Sequence, residues 1–212
     1  MSDEPVILHR GHRWLVVNKP AGWHSVAGRG DEPDVEGWLR QAVPDCAALH
    51  EGGLVHRLDQ TTSGCLLAAT REAERVSLRA AMSGRGGIVV GKRYLARVGA
   101  GVRSSGQFDL YFTRRHRGSR KVTVRGVGED AERGQCAWRV LSRDASRGDL
   151  IEVDLLGPGR RHIIRAGMAF LGHPLVGDAM YGGGVGGARL HSASLTVDGQ
   201  TVAAPAPEWA RD

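Results

Sequence analysis

The run Leu54-Val-His-Arg-Leu-Asp-Gln-Thr-Thr-Ser-Gly-Cys-Leu-Leu67 places a polar turn between two apolar stretches. If Leu54–Asp59 is extended, alternate side chains share a face. Val55, Arg57 and Asp59 then point one way, and Leu54, His56 and Leu58 the other. A guanidinium two residues from a carboxylate favours the ionised form of Asp59. That suits a nucleophile or a base. It also suits an ordinary Arg–Asp ion pair at a strand end, which the local pattern alone favours, because structural pairs perturb carboxylates too. The local pattern leaves both readings open.

The rest of the chain is patterned in short segments, with 31 glycines among 212 residues. Trp14–Val17 reads as a buried strand, broken by the turn chemistry of Asn18-Lys-Pro-Ala-Gly22. Asp34 caps a helix to about Val43, ended by Pro44. Gly64–Ala69 is a continuous apolar run and predicts a buried strand. Thr70 is placed to cap a helix through about Ser83, with Glu72 and Glu74 in its first turn and Gly84 just beyond its end. Val89–Val98 alternates, with Lys92, Tyr94, Ala96 and Val98 on one face. Gln107–Val153 reads as short strands with Gly-rich and charged loops. Arg161–Leu171 fits a helix with Ile164, Met168 and Leu171 at helical spacing. Arg161 and Arg165 share another face, and Gly167 weakens the helix slightly. Asp198-Gly199 makes a tight hairpin of Ser194–Val197 and Gln200–Ala203. The tail after Pro205 is expected to fray. Strands outnumber helices and are hairpin-like. The expected fold class is therefore α+β, with a largely antiparallel mixed sheet and flanking helices. One domain over residues 1–212 is expected, with an ordered core of about 6–204.

The net charge is +6 and the sequence pI about 9.8, a balance that favours a polyanionic partner. The charge is uneven: Arg103–Arg125 holds seven basic residues and one acid, Asp109. No basic amphipathic helix accompanies it, which favours nucleic acid over a membrane surface. Cys46, Cys65 and Cys136 show no CxxC spacing and fit a reducing compartment. The opening Met1-Ser-Asp-Glu-Pro5 lacks the pattern of a secretory leader. No uncharged apolar run reaches the roughly 18–20 residues of a membrane span. A cytoplasmic location is expected.

Several motifs fall away on inspection. Gly86–Lys92 nearly matches a phosphate-binding P-loop, but Arg93 stands where Ser or Thr should bind magnesium, and a strand follows where a helix is required. Gly182–Gly187 contains a formal GxGxxG that neither follows a strand nor opens a helix, so it reads as a flexible loop. His9 and His12 lack partner ligands for a metal. No GxSxG elbow exists, so Ser63 reads as a backbone-bonding turn residue rather than a nucleophile.

Four segments in order weigh differently when taken together. They are Val16-Val-Asn-Lys-Pro-Ala-Gly22, His56–Gly64, Lys92-Arg-Tyr-Leu-Ala96, and Gly159-Arg-Arg-His-Ile-Ile-Arg165 followed by Leu171-Gly-His-Pro-Leu-Val-Gly-Asp178. Together they resemble the RluA-type family of RNA pseudouridine synthases, whose pattern HRLDxxTSG is matched at every fixed position by His56–Gly64. The resemblance runs from about Val6 to the terminal hairpin. It implies the pseudouridine synthase catalytic fold with a central active-site cleft, and conversion of a uridine in structured tRNA or rRNA to pseudouridine. Asp59 matches the family's catalytic aspartate, and Tyr94 the active-site tyrosine that packs on the target base. Arg165 matches the arginine that pairs with the catalytic carboxylate, and Arg57 the arginine that helps displace the base from the RNA stack. This isomerisation needs no redox partner, phosphate donor or Lewis acid, so no cofactor and no metal are expected. The expected partner is an RNA stem-loop, bound by a monomer.

Two departures stand out: Ile163 occupies the usual Gln position, and Ala166-Gly167 replace a bulkier residue and a His. No separate N-terminal RNA-binding domain of the kind many relatives carry is expected. RNA contacts are therefore expected from Arg114, Arg115 and Arg117 in the cationic stretch, and from Arg160 and Arg161. The altered Ile163–Gly167 region motivates an alternative, a non-catalytic RNA-binding or chaperone protein on the same fold. A carboxylate-dependent hydrolase of a small substrate is a third class, and it leaves the cationic stretch without a purpose.

Overall fold

A computed structural model describes residues 4–28, 30–114 and 118–211. Arg115 and Arg117, and the side chain of Arg114, lie outside the described residues. The strands are β1 (Val6–Arg10), β2 (Trp14–Lys19), β3 (Ser63–Ala69), β4 (Val90–Val98), β5 (Ser105–Arg114), β6 (Val122–Arg125), β7 (Arg133–Ser142), β8 (Asp149–Leu155), β9 (Leu190–Val197) and β10 (Gln200–Ala203). The helices are α1 (Val35–Ala42), α2 (Glu72–Met82) and α3 (Ile163–Phe170). No helix among the described residues is long and apolar enough to cross a membrane. The fold is α+β, with mostly antiparallel pairing.

The chain forms two compact units, residues 1–92 with 191–206, and residues 93–190 with 207–212. In the first, β1, β2 and β3 pair antiparallel in order. β9 joins β3 in parallel through Ser63↔His191 and Gly64↔Ser192, and β10 closes on β9 as a hairpin. The core gathers Val16 from β2, Val55, Cys65, Leu67 and Ala69 from around β3, Leu78 from α2, and Leu195 and Val197 from β9. The hairpin turns as its Asp-Gly pair predicts, with φ of 48° at Asp198 and 83° at Gly199. α1 starts where expected: the Asp34 carboxylate accepts from Gly37 N at 2.7 Å.

α2 begins differently from its prediction. Thr70 does not cap it, because its hydroxyl donates to His12 O at 2.8 Å. Arg71 is the N-cap residue and makes no side-chain cap bond. Likewise Leu54–Asp59 is not a strand. Leu54 makes one bridge to Ala68, after which the chain leaves the sheet. Leu54 and Val55 are adjacent yet both buried, so the two-face alternation fails.

In the second unit the strand order is β4-β8-β7-β5-β6, antiparallel throughout. β5 and β7 each run ten residues, longer than the short strands expected. α3 is buried nearly all round, from Ile163 to Met168, as suits a core helix. Gly167 does more than weaken it: a Cβ there would lie 2.5 Å from Phe108 Cζ, so the helix needs the gap to meet β5. The chain after Pro205 does not fray, since Glu208–Ala210 form a 3-10 turn and Arg97 donates from Nε to Trp209 O at 2.7 Å. Nor is Gly182–Gly187 simply loose. A Cβ on Gly183 would fall 1.7 Å from Leu175 O, and Gly177 N donates to Gly183 O at 2.6 Å.

Candidate active site

Asp59 sits in a loop whose backbone is held on both sides. Before it, Leu58 N donates to Ser25 Oγ and Ser25 Oγ donates to Leu58 O, each at 2.9 Å. At Asp59 itself the carbonyl accepts from Thr62 N at 3.0 Å, closing a four-residue turn. After it, Gln60 O accepts from Gly22 N at 2.8 Å and from Lys19 Nζ at 3.1 Å. The turn Asn18-Lys-Pro-Ala-Gly22 is thus the seat of the loop. Arg57 is exposed and Asp59 half-buried.

Lys19 is fully buried, and its Nζ also donates to Pro20 O at 2.9 Å and Trp23 O at 2.7 Å. Three carbonyls therefore match the three donors of an ammonium. Burial pulls the Lys19 pKa down to about 7, and the charge of Asp59 acts in the opposite direction. Unfolded lysine keeps its proton to about pH 10.4, so between these values the unfolded chain binds more protons than the folded one. Stability must then rise with pH across that window. Compared by urea unfolding, wild type should gain on Lys19→Met between about pH 7 and 10, by up to about 1.4 kcal/mol per pH unit. A flat difference would mean that Lys19 titrates like an ordinary lysine.

The histidines around the loop are hydrogen-bonding or packing groups. Leu67 N donates to His56 Nε2 at 3.1 Å, which requires a neutral ring. Burial, then the charge of Lys92, lowers the His56 pKa to about 3. Ser63 Oγ lies 2.8 Å from His191 Nδ1, so its hydroxyl pairs with a side chain rather than with the turn backbone. His191 is buried, and burial lowers its pKa to about 4. His9 packs against Trp14 with ring centroids 4.5 Å apart and the planes tilted by 39°. Among the described residues, no group of three His, Cys, Asp or Glu is placed to hold a metal.

In the second unit, Tyr94 is buried on β4 opposite Val153 of β8. Arg165 is buried on α3 and forms a bidentate pair with Asp178, from Nε to Oδ2 at 2.7 Å and from Nη2 to Oδ1 at 2.9 Å. Asp178 Oδ1 also accepts from Met180 N at 3.2 Å. The Arg165 guanidinium lies 5.5 Å from the Tyr181 ring centroid. The Tyr181 hydroxyl accepts from Val122 N at 2.9 Å and lies 2.9 Å from His162 Nδ1. Asp178 and Tyr181 thus fix the guanidinium plane. The sequence does not announce this task for them, because a pairing across 13 residues of irregular chain carries no periodic signal. Arg161 does not share a helix face with Arg165. It precedes α3, is exposed, and donates from Nη1 to Ser119 O at 2.9 Å. Arg160 donates from Nε to Arg133 O at 2.7 Å.

Comparison with known proteins decides the family. The family model described as RNA pseudouridylate synthase matches residues 13–170. The chain belongs to the RluA-type RNA pseudouridylate synthase family. It is 35% identical over 185 residues to ribosomal large subunit pseudouridine synthase D of Xanthomonas campestris pv. campestris, covering 86% of this chain and 53% of that protein. It is 34% identical over 186 residues to dual-specificity RNA pseudouridine synthase RluA of Vibrio vulnificus, covering 84% and 69%. The chain thus spans about half the length of curated relatives of the first kind. The solved structure of human RNA pseudouridylate synthase domain containing 4 superposes with a TM-score of 0.72 at 20% identity, over 96% of this chain and 89% of that one.

Against this family pattern the two departures in α3 acquire a packing reason. Ile163, Ala166 and Gly167 are all buried. A Cβ on Gly134 would lie 2.7 Å from Ile163 Cδ1, and Gly167 meets Phe108. Apolar and small residues at these positions let α3 close on β5 and β7.

Proposed function

We propose that this chain isomerises a uridine of structured ribosomal or transfer RNA to pseudouridine, with Asp59 as the catalytic carboxylate. The observation that carries the reading is the loop of Asp59, whose neighbours Leu58 and Gln60 are tied by Ser25, Gly22 and the buried ammonium of Lys19. Such fixing on a family motif suits a reacting group more than a surface ion pair, because misplacement by about 1 Å can cost about 10²-fold in rate.

The reaction breaks the bond from the sugar anomeric carbon to N1, turns the ring, and joins carbon 5 to the sugar. Carbon 5 gives up its proton and N1 gains one, so nothing is added or lost overall. An ionised Asp59 has three ways to begin: attack on carbon 6 of the ring, attack on the anomeric carbon, or removal of a sugar proton. Each requires the base to leave its stack. The Tyr94 ring is assigned to hold it, Arg57 to displace it, and Arg165 to pair with the carboxylate. Arg114, Arg115, Arg117, Arg160 and Arg161 are assigned to the RNA backbone. The ribosomal substrate class follows the names of the relatives. The enzyme is read as a monomer acting in the cytoplasm without a cofactor.

The test is chemical pseudouridine mapping of ribosomal and transfer RNA from a strain lacking this protein. One or a few pseudouridines should disappear and return when the wild-type gene is restored. An unchanged map would sink the proposal.

A further inference from the structure

We infer that Ser25 is a positioning residue for Asp59, an inference that rests on the reading of Asp59 as the reacting group. Its hydroxyl meets both backbone groups of the residue immediately before Asp59, accepting from Leu58 N and donating to Leu58 O at 2.9 Å each. A paired strand offers a residue this same reciprocal exchange. Here a single side chain supplies it, at a point where the chain has left the sheet. Ser25 is only 4% exposed and Leu58 9%, so water is a poor substitute for either bond.

Ser25 is itself anchored. Its carbonyl accepts from Glu36 N at 3.1 Å, and the preceding His24 O accepts from Val35 N at 2.9 Å, both amides of the first turn of α1. α1 in turn is fixed at its start by Asp34. A continuous path therefore runs from the cap of α1 through Ser25 to Leu58 and the Cα of Asp59. On the far side, Lys19 and Gly22 hold Gln60. The two clamps act on residues 58 and 60, on either side of Asp59. Lys19 bonds carbonyls only, whereas Ser25 engages an N–H and a C=O of one residue and so fixes the orientation of the backbone there. Ser25→Ala removes one oxygen and leaves the packing of Cβ in place, which separates positioning from bulk.

The experiment uses full-length protein with unmodified transcripts of large-subunit ribosomal RNA and tRNA. Wild type, Ser25→Ala, Ser25→Thr and Asp59→Asn are compared in single-turnover isomerisation rate, RNA affinity, RNA-binding stoichiometry and amide exchange at Leu58. Ser25→Ala should slow isomerisation by roughly 30–100-fold and speed Leu58 exchange at least about tenfold, since that amide loses its partner. Its affinity and stoichiometry should stay within about twofold of wild type. Ser25→Thr, which keeps the hydroxyl, should restore the rate to within about threefold. A Ser25→Ala rate within about threefold of wild type overturns the inference, as does a loss that only tracks a fall in binding stoichiometry. A Thr variant as slow as the Ala variant overturns it too. Inactive wild type, or active Asp59→Asn, overturns instead the underlying reading of Asp59.

Discussion

Asp59→Asn should bind RNA as wild type does and isomerise it at least about 10³-fold more slowly. Asn matches the shape of Asp, and the turn from Asp59 O to Thr62 N is made by backbone that the change leaves alone. What disappears is the negative oxygen, which neither a nucleophile nor a base can spare. Asp59→Glu sharpens the test by keeping the charge while moving it one methylene outward. If positioning by the flanking clamps matters, Glu should recover little of the lost rate. The Asn variant carries a second signal. The charge of Asp59 is what raises Lys19 against the pull of burial, so Asp59→Asn should move the Lys19 titration further down. Single-turnover rates on mapped RNA, with affinity measured in parallel, decide the matter. A rate within about tenfold of wild type would exclude Asp59 as the reacting group.

The features legible in the sequence are those governed by near neighbours in the chain. The Asp34 cap and the Asp198-Gly199 turn bond within three residues of themselves, so local chemistry specifies them. Lys92, Tyr94, Ala96 and Val98 are all buried along β4 as their alternation predicts, although Arg97 between the last two is buried too. Local reading fails where a distant group competes for a local one. Thr70 looks like a cap until His12 O takes its hydroxyl. Leu54–Asp59 looks extended until Ser25 and Lys19, 33 and 41 residues from their partners, replace a sheet neighbour. Arg165 stands out by family resemblance, but its bond to Asp178 requires the fold. The candidate site shows the same division. Its residue types are visible in the His56–Gly64 run, whereas the side chains that orient them come from other segments.

Gly64 ends that run, and its replacement should cost the protein a large part of its stability. Gly64→Ala should lower the melting temperature by roughly 4–24 °C, on the basis of about 2–6 kcal/mol and about 2–4 °C per kcal/mol for a chain of this size. Two effects combine. The residue has φ of 102°, a conformation that costs an L-residue about 1–3 kcal/mol. Its Cβ would also stand 2.2 Å from Ser192 O and 2.8 Å from Ser192 C and N. Those are backbone atoms of β9, fixed by the parallel pairing Gly64↔Ser192, so no rotamer change relieves the clash. Relief requires β3 and β9 to part, which also strains the neighbouring bond between Ser63 and His191. Gly199→Ala separates the two effects, because Gly199 has φ of 83° and a methyl group there would meet nothing within 4 Å. It should cost only the strain, about 1–3 kcal/mol. Equal losses in the two variants, measured by thermal and urea unfolding, would mean that backbone strain alone fixes glycine at position 64. A larger loss at Gly64 assigns the motif's final glycine to the close approach of β9 beside the Asp59 loop.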